Sequence, residues 1–248
     1  MGSNFEKFIF ATDLHGDMAD PDAVVKLFSF MEVWKPEVVI FGGDLVDLRP
    51  LRKGASSEEK SESMRADIGA GNVFIDRFFR FGKVRVFHLG NHDARLDESA
   101  HSNDGALADL ADAGVRDRQH RMGKLKAITL PYDKRSGIYQ RGHLRTLHGF
   151  ACGAFAARQT AAVYGASIFG HVHASEAFSI PGLERRVARS SGCLCRLDMP
   201  YSARTPSSLR QCNGWVFGVI NKKTGIYHCW SAENTDGLWV VPSDIVEL

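Results

Sequence analysis

The sequence lacks several features that would place it in a special class of proteins. No stretch approaches the roughly 20 consecutive apolar residues that a helix needs to cross a bilayer. The N-terminal residues contain neither a basic region nor a long apolar region, so we expect no signal peptide. Lys and Arg total 31 against 29 Asp and Glu, so net charge alone does not indicate a nucleic-acid partner. These absences favour a cytoplasmic protein that does not bind a membrane.

Cysteine is sparse and irregularly spaced. The five cysteines are Cys152, Cys193, Cys195, Cys212 and Cys229. An odd and uneven set favours free thiols in a reducing compartment over a disulfide framework. Cys193 and Cys195 are too close together for a Cys-x-x-Cys metal site, so we interpret them as structural. Apolar content of 44% and charged content of 24% are ordinary for a globular protein.

The informative pattern is a short apolar run that ends in metal-ligand side chains, in a chain without internal repeats or low-complexity tracts. The first run, residues 8–11, is followed by Asp13-Leu14-His15. If the strand continues through His15, the side chains of Asp13 and His15 point to the same side, just past its end. A carboxylate and an imidazole that meet there suit a divalent metal ion.

The N-terminal part of the chain follows the order strand, helix, strand. Asp20 and Pro21 predict the start of a helix that Lys35-Pro36 ends. Residues 38–41 form a second buried strand, and Asp44 follows it. This order predicts a parallel pair of strands with a right-handed crossover. The polar residues after both strands therefore lie at one edge of the sheet, where such sheets bind their ligands.

The remaining elements are predicted from the spacing of apolar residues. Over residues 49–68 we expect a polar loop that leads into a helix, and we also expect a long loop over residues 198–213 and a hairpin turn at residues 222–225. The expected helices cover residues 73–81, 106–111 and 155–164. The expected strands cover residues 84–89, 144–147, 167–169, 177–180, 187–189, 215–220, 226–230 and 238–241.

Two basic features and one histidine allow more than one interpretation. A basic run begins at Arg116, reaches Lys126 and is continued by Lys134, Arg135, Arg141 and Arg145. It is either a solvated face or a polyanion-binding rim. Arg49 is interpreted as an exposed loop arginine, with contact to a phosphate as the alternative. His88 lies within a predicted strand and is interpreted as structural.

Five blocks of polar residues follow the apolar runs in order. They are Asp13-x-His15, Gly43-Asp44, Gly90-Asn91-His92, His148 and Gly170-His171-x-His173. This set resembles the calcineurin-like metallophosphoesterases, whose pattern is DxH, GD, GNH, H and GHxH in the same order. The match spans residues 13 to 173, nearly two thirds of the chain, and departs at no core position. Because one site would draw on most of the chain, we expect residues 1–248 to form a single domain.

The resemblance implies a fold and a role for each matching residue. The implied fold is α/β, a four-layer sandwich with two packed mixed β-sheets flanked by helices. One metal ion would be held by Asp13, His15 and His173, the other by Asn91, His148 and His171, with Asp44 bridging the two. His92 would protonate the leaving oxygen or stabilise the transition state. Asp47 would orient His92, and Asp93 is the alternative for that role.

The chemistry of phosphoryl transfer gives independent reasons for these residue types. Two metal ions about 3.5–4 Å apart can clamp the attacking and leaving oxygens, and a bound water becomes hydroxide near neutral pH. The leaving oxygen needs a proton, and a histidine titrates in the right range. A mixed set of Asp, His and Asn suits Mn²⁺, Fe, Zn²⁺ or Ni²⁺ better than Ca²⁺ or Mg²⁺. We favour two Mn²⁺ ions.

The sequence therefore predicts a dinuclear metal-dependent phosphoesterase, with a metal-bridging hydroxide as nucleophile and His92 as general acid. We favour a phosphodiester of nucleic acid or nucleotides as substrate, because a basic segment follows His92. Leu48 also occupies the position after Asp47 where protein phosphatases of the family carry an arginine. The alternatives are a protein or small-molecule phosphomonoesterase, a nucleic-acid-binding module, and a non-catalytic scaffold like the retromer subunit with this fold. A scaffold has no need of His92 and a complete ligand set, and the oligomeric state stays open.

Overall fold

Two β-sheets and their flanking helices make up the part of the chain that the computed structural model describes, residues 4–183, 186–198 and 206–240. The α-helices are α1 (Pro21–Trp34), α2 (Ser57–Ser61), α3 (Met64–Phe78), α4 (Asn91–Ser99), α5 (Gly105–Lys124) and α6 (Ala156–Tyr164). The strands are β1 (Phe5–Ala11), β2 (Val38–Phe41), β3 (Val84–His88), β4 (Ile128–Leu130), β5 (Tyr139–Arg141), β6 (Leu144–Leu147), β7 (Ser167–Phe169), β8 (Ala177–Ile180), β9 (Arg186–Ser190), β10 (Gly214–Asn221), β11 (Tyr227–Thr235) and β12 (Leu238–Val240).

Both sheets are mixed. The first has the strand order β12-β11-β10-β1-β2-β3-β4, in which β1 to β4 are parallel and β10 runs antiparallel to β1. The second has the order β5-β6-β7-β9-β8, with β6, β7 and β9 parallel. Phe10 and Ile40 from the first sheet pack against Leu144 and Ile168 from the second, and all four are fully buried. The predicted α/β architecture of two packed mixed sheets with flanking helices is confirmed.

Helix α1 forms where the sequence predicted it. The Asp20 side chain accepts a hydrogen bond from the backbone N–H of Ala23 at 2.9 Å, and Pro21 occupies the first helical position. The buried face of the helix includes Leu27 and Trp34, which belong to the core on the outer side of the first sheet. This packing fixes β1 and β2 side by side, as the strand–helix–strand order predicted.

Two helices after β3 differ from the prediction. The sequence predicted a short helix over residues 106–111, whereas α5 runs the full length of Gly105–Lys124 and passes through Gly114. A Cβ atom at Gly114 would lie 3.0 Å from Leu96 Cδ2, so the missing side chain lets α5 approach α4 closely. Helix α4 itself was not predicted, because its first residues match a metal-ligand block and resemble a turn.

The C-terminal strands divide between the two sheets. Strands β10, β11 and β12 extend the first sheet, whereas β8 and β9 belong to the second. The short strands β4 and β5 were not predicted. Within the predicted loop over residues 198–213, Pro206–Arg210 forms a 3-10 helix, while residues 199–205 lie outside the described residues, as does residue 241.

The predicted polar loop over residues 49–68 contains regular structure. It holds the 3-10 helix Arg49–Leu51, helix α2 and the start of α3. Arg49 is buried rather than exposed, because its guanidinium pairs with Asp17 at 2.7 Å, with Asp47 at 3.3 Å and with Glu62. The interpretation of Arg49 as an exposed loop arginine is therefore wrong, since three carboxylates hold it against the loop after β2.

The cysteines are free thiols, and Cys193 and Cys195 are buried. Within the described ranges, none of the helices combines the length and the apolar composition that crossing a bilayer would require.

Candidate metal centre

The predicted ligands meet where the carboxyl ends of strands from both sheets face each other. Asp13, Asp44 and Asn91 follow β1, β2 and β3 of the first sheet, in that order. His148 and His171 follow β6 and β7 of the second sheet. His15 and His173 lie two residues beyond Asp13 and His171, and the seven predicted ligands lie together, five of them buried and Asn91 and His171 half-buried.

The backbone conformation that brings these side chains together differs from the extended strand that the sequence predicted. Strand β1 ends at Ala11, and Asp13 and His15 have φ angles of 56° and 55°, in the left-handed region. Asp44, His171 and His173 also have positive φ angles, of 53°, 71° and 55°. Non-glycine residues adopt this conformation at a cost of roughly 1–2 kcal/mol each. Tight turns, rather than extended strands, therefore aim the five side chains inward.

One set of ligand atoms comes from Asp13, His15 and His173. Asp13 Oδ2 accepts hydrogen bonds from Thr12 Oγ1 at 2.8 Å and from the backbone N–H of His171 at 2.9 Å. Asp13 Oδ1 is left facing His173 Nε2 at 3.2 Å and His15 Nε2 at 3.9 Å. The two Nε2 atoms are 3.1 Å apart. Three potential ligand atoms thus surround one point.

A second set comes from Asn91, His148 and His171. Asn91 Oδ1 lies 3.1 Å from His148 Nε2 and 2.9 Å from His171 Nδ1. His148 Nδ1 lies 2.8 Å from the carbonyl oxygen of Gly42, which can accept its proton in a hydrogen bond. That contact leaves a lone pair on Nε2, directed at the second set, as metal-binding histidines require.

Asp44 lies between the two sets. Its Oδ1 accepts a hydrogen bond from the backbone N–H of His92 at 2.8 Å. Its Oδ2 lies 3.3 Å from His148 Nε2 and 4.0 Å from His15 Nε2. Burial opposes charge on this carboxylate, but the surrounding histidines more than offset it and hold the pKa of Asp44 well below its usual value. One ionised oxygen therefore faces both sets.

These residues fit divalent cations. Asp13 Oδ1 and His15 Nδ1 are buried without a hydrogen-bond partner among the described residues, and a cation would satisfy the Asp13 oxygen. Asp44, His148 and His171 offer ligand atoms within 4.8 Å of one another, which suits one ion, as do His15, Asp44 and His92. The backbone at Gly90 lies so close to the Asp44 carboxylate that a Cβ atom at Gly90 would be 2.1 Å from Asp44 Oδ1.

His92 stands beside this space and is held by Asp47. Its Nδ1 lies 2.6 Å from Asp47 Oδ1, and its Nε2 lies 3.9 Å from Asp44 Oδ2. Burial lowers the pKa of His92, but Asp44 and Asp47 more than offset this and raise it above its usual value. The pair has the geometry of a histidine whose ring is oriented by a carboxylate.

Asp93 does not make the contact with His92 that its alternative role required. Its carboxylate accepts hydrogen bonds from the backbone N–H groups of Gly90 at 2.9 Å, Leu45 at 3.1 Å and Val46 at 3.3 Å. Burial raises the pKa of Asp93 to about 6. Asp93 therefore joins the loop after β2 to the start of α4, and Asp47 is the residue that orients His92.

Arg95 is a site residue that the sequence reasoning missed. Its Nη1 donates to the carbonyl oxygen of Asp47 at 2.7 Å, and its Nη2 lies 3.3 Å from His92 Nε2. Residues three apart share a helix face, so the spacing from His92 would have indicated Arg95 if α4 had been predicted.

Two further neighbours of the site come from distant parts of the chain. Cys195 Sγ lies 3.7 Å from His173 Nδ1, so this buried thiol supports the outer side of a predicted ligand. The ring of Tyr132 lies 5.7 Å from that of His148 and stacks on Phe150 at 4.8 Å. No pattern in the sequence connected these residues with the histidines.

Each of the three arginines of the basic run on α5 is paired with an acidic neighbour. Arg118 pairs with Asp97 at 2.7 Å, Arg121 pairs with Asp76 and Arg116 pairs with Asp112. These pairs favour a solvated face over a polyanion-binding rim. The run therefore gives less support to a nucleic-acid substrate than its sequence suggested.

Comparisons with known proteins identify the fold. No protein-family model matches the chain, and no curated protein matches it. A point mutant of Vps29 from Entamoeba histolytica superposes with a TM-score of 0.52 at 12% identity, covering 94% of this chain and 96% of that one. Wild-type Vps29 from the same organism, complexed with Zn²⁺, superposes with a TM-score of 0.50 at 13% identity, covering 94% of this chain and 96% of that one. Vps29 from Cryptosporidium parvum superposes with a TM-score of 0.50 at 12% identity, covering 95% of each chain. At such identities the likeness concerns the fold alone, and the chain has the fold of these Vps29 structures, two packed mixed β-sheets flanked by helices.

Proposed function

We propose that this protein is a dinuclear metal-dependent phosphoesterase. The observation that carries the proposal is the position of Asp44 Oδ2, which lies within 4.0 Å of imidazole nitrogens from both ligand sets. His92, held by Asp47, stands 3.9 Å from the same oxygen. A shared carboxylate oxygen beside an oriented histidine is the arrangement that two-metal phosphoester hydrolysis requires.

The proposed ligands divide between two ions. Asp13, His15 and His173 would hold one, Asn91, His148 and His171 the other, and Asp44 both. When bound, two divalent ions would supply Lewis acidity and a water with a lowered pKa. Mn²⁺ is our first choice, with Fe, Zn²⁺ and Ni²⁺ as alternatives. The Zn²⁺ complex of an Entamoeba histolytica Vps29 supports the proposal that this fold accommodates a divalent metal.

His92 is the proposed general acid. Asp47 can accept the Nδ1 proton, which leaves Nε2 to deliver a proton to the leaving oxygen. Burial opposes ionisation of Asp47, but its contacts with His15 and His92 more than offset this and hold its pKa far below the usual value. A permanently ionised Asp47 would keep the ring oriented and stabilise its protonated form.

We propose a phosphodiester of nucleic acid or nucleotides as the substrate. The half-buried rings of Tyr132 and Phe150, stacked beside His148, offer a surface on which a nucleobase could stack. The buried Leu48, next to Asp47, places an apolar side chain at the position where protein phosphatases of the resembled family carry an arginine. A phosphomonoesterase is the alternative, since the proposed metal ligands would serve either substrate.

The first experiment compares hydrolysis of bis-p-nitrophenyl phosphate and p-nitrophenyl phosphate, with Mn²⁺ and with chelator. We expect chelator-sensitive hydrolysis with a preference for the diester. Asp44→Asn is the control, because it removes the charge that both ions would share and should lose metal and activity together. A preference for the monoester would favour the phosphomonoesterase. Activity that survives both chelation and Asp44→Asn would contradict the proposal.

A non-catalytic scaffold is the second candidate, and the likeness to Vps29 favours it. The His92–Asp47 pair argues against it, since a metal-binding scaffold has no use for a positioned proton donor. Metal binding together with a zero rate on every phosphoester tested would support the scaffold.

A further inference from the structure

We propose that Arg95 binds a non-bridging oxygen of the substrate's phosphoryl group, next to His92. This inference rests on the proposed function, because it assigns a phosphate-binding residue to the same site. It is carried by three features of Arg95, namely its place on α4, the direction of its guanidinium and the length of its ion-pair contact with Asp47, 3.7 Å.

Helix α4 places Arg95 beside the reacting centre. The helix starts at Asn91, a proposed ligand, and His92 and Arg95 lie three residues apart on one face. The side chain of Arg95 is 16% exposed, close to the 14% of His92. Both side chains are therefore partly accessible to solvent beside the site.

The two terminal nitrogens of the Arg95 guanidinium make different contacts, one with the backbone and one with His92. Nη1 donates to the carbonyl oxygen of Asp47 at 2.7 Å, which fixes the plane of the group. Nη2 lies 3.3 Å from His92 Nε2, the atom proposed to face the leaving oxygen. The N–H groups of Nη2 therefore lie beside the proposed position of the leaving oxygen, where an oxygen of a phosphoryl group could accept a hydrogen bond from them.

The charge of Arg95 is available to a ligand, in contrast to that of Arg49. Arg49 pairs with Asp17, Asp47 and Glu62. The nearest ion-pair contact of Arg95 among the described residues is Asp47 Oδ1 at 3.7 Å, and His92 already holds that oxygen at 2.6 Å. An arginine whose carboxylate contact is this long, and shared with a histidine, is suited to bind a phosphate group and to stabilise the charge that develops in the transition state.

The test compares Arg95→Ala and Arg95→Lys with the wild type, all loaded with Mn²⁺. For Arg95→Ala we expect KM for bis-p-nitrophenyl phosphate and the inhibition constant of inorganic phosphate to rise about 10- to 100-fold, the scale of one charge-assisted hydrogen bond. Arg95→Lys should recover part of the loss, because it keeps the charge without the fork. Metal content and melting temperature should stay at wild-type values.

Arg116→Ala is the matched control, since it removes one positive charge from an exposed, ion-paired position on α5. A fall in kcat for Arg95→Ala with an unchanged phosphate inhibition constant would overturn the proposal, because Arg95 would then act only through His92. If the wild type hydrolyses no phosphoester, the proposed function fails, and calorimetric titration with inorganic phosphate still tests Arg95. Equal phosphate affinity in wild type and Arg95→Ala, or no phosphate binding by either, would overturn the inference.

Discussion

A histidine donates a proton efficiently from one ring nitrogen only when the other is held in place. In this protein Asp47 lies 2.6 Å from His92 Nδ1, and the backbone N–H of His92 is fixed by Asp44. In the proposed division of ligands, His92 holds neither ion. Its contribution can therefore be separated from that of the metal.

For His92→Ala we expect both metal ions to remain bound and the hydrolysis rate to fall by roughly 10²–10⁴, the usual scale of general acid catalysis. Metal content by elemental analysis and kcat on bis-p-nitrophenyl phosphate are the two measurements. Full activity in this variant would refute the assignment. Loss of metal would instead make His92 a ligand, as its closeness to His15 and Asp44 also permits.

His88 gives a second prediction, concerning acid stability. It is fully buried, between the carbonyl oxygen of Gly137 at 3.1 Å and Thr146 Oγ1 at 2.9 Å, and burial lowers its pKa from 6.5 to about 3. The unfolded chain therefore binds a proton at a pH where the folded chain does not. The stability that neutral His88 provides is complete above pH 6.5 and is lost as the pH falls toward 3.

Between pH 6.5 and pH 4.5 we expect the contribution of His88 to the free energy of unfolding to fall by about 2–3 kcal/mol, since each pH unit corresponds to about 1.4 kcal/mol. Denaturant unfolding at both pH values, with chelator present, would measure it in the wild type and in His88→Gln. The variant cannot titrate at this position, so its stability should depend less steeply on pH. Identical pH dependence in the two proteins would contradict the prediction.

Single residues were largely predictable from the sequence where they follow a buried apolar run. Asp13, Asp44 and His148 were found this way, because a strand and the polar residues after it are read from local pattern. Arg49 was misjudged, since its burial depends on carboxylates that lie 13 and 32 residues away along the chain. Ion pairs between residues this far apart in the sequence cannot be predicted from local composition.

At the scale of elements, α4 and the loop after β2 behave as one unit joined by Asp93. Three backbone N–H groups, from Leu45, Val46 and Gly90, converge on its carboxylate. The loop carries Asp44 and Asp47, and the helix carries Asn91 and His92. The sequence could not show this unit, because a Gly-Asn-His-Asp block has the composition of a turn and hides the helix start.

Asp93→Ala should lower the free energy of unfolding by at least about 1–3 kcal/mol, the cost of leaving one buried donor without a partner. Asp97→Ala is the matched control on the same helix. Its carboxylate is 40% exposed and its pair with Arg118 should contribute little, so we expect a change within about 0.5 kcal/mol. Denaturant unfolding of both variants measures the difference. Equal stabilities would mean that Asp93 does not join the two elements.

At the scale of the whole molecule, the site lies across the interface between the two sheets. Asp13, Asp44 and Asn91 come from the first sheet, while His148, His171 and His173 come from the second. The architecture of two mixed sheets followed from the resemblance in the five blocks. The placement of β10–β12 in the first sheet did not, because strand pairing between distant segments cannot be read from local alternation.

Metal binding should therefore hold the two sheets together. At a hundredfold excess over its dissociation constant, one bound ion stabilises the folded state by about 2.7 kcal/mol. For a chain of this length we expect Mn²⁺ to raise the melting temperature by about 5–10 °C. Calorimetry with Mn²⁺ and with chelator measures the shift, and Asp44→Asn should reduce it. An equal shift in both proteins would place the stabilising ion elsewhere.

The left-handed backbone of Asp13, His15, Asp44, His171 and His173 has a consequence for how this fold changes over evolution. Glycine would adopt the same turns without strain, so the metal-free chain keeps these five side chains against its own conformational preference. On the proposed function, selection for metal binding would retain them. In a descendant freed from that selection, we expect glycine or asparagine to accumulate at these positions while the two sheets persist.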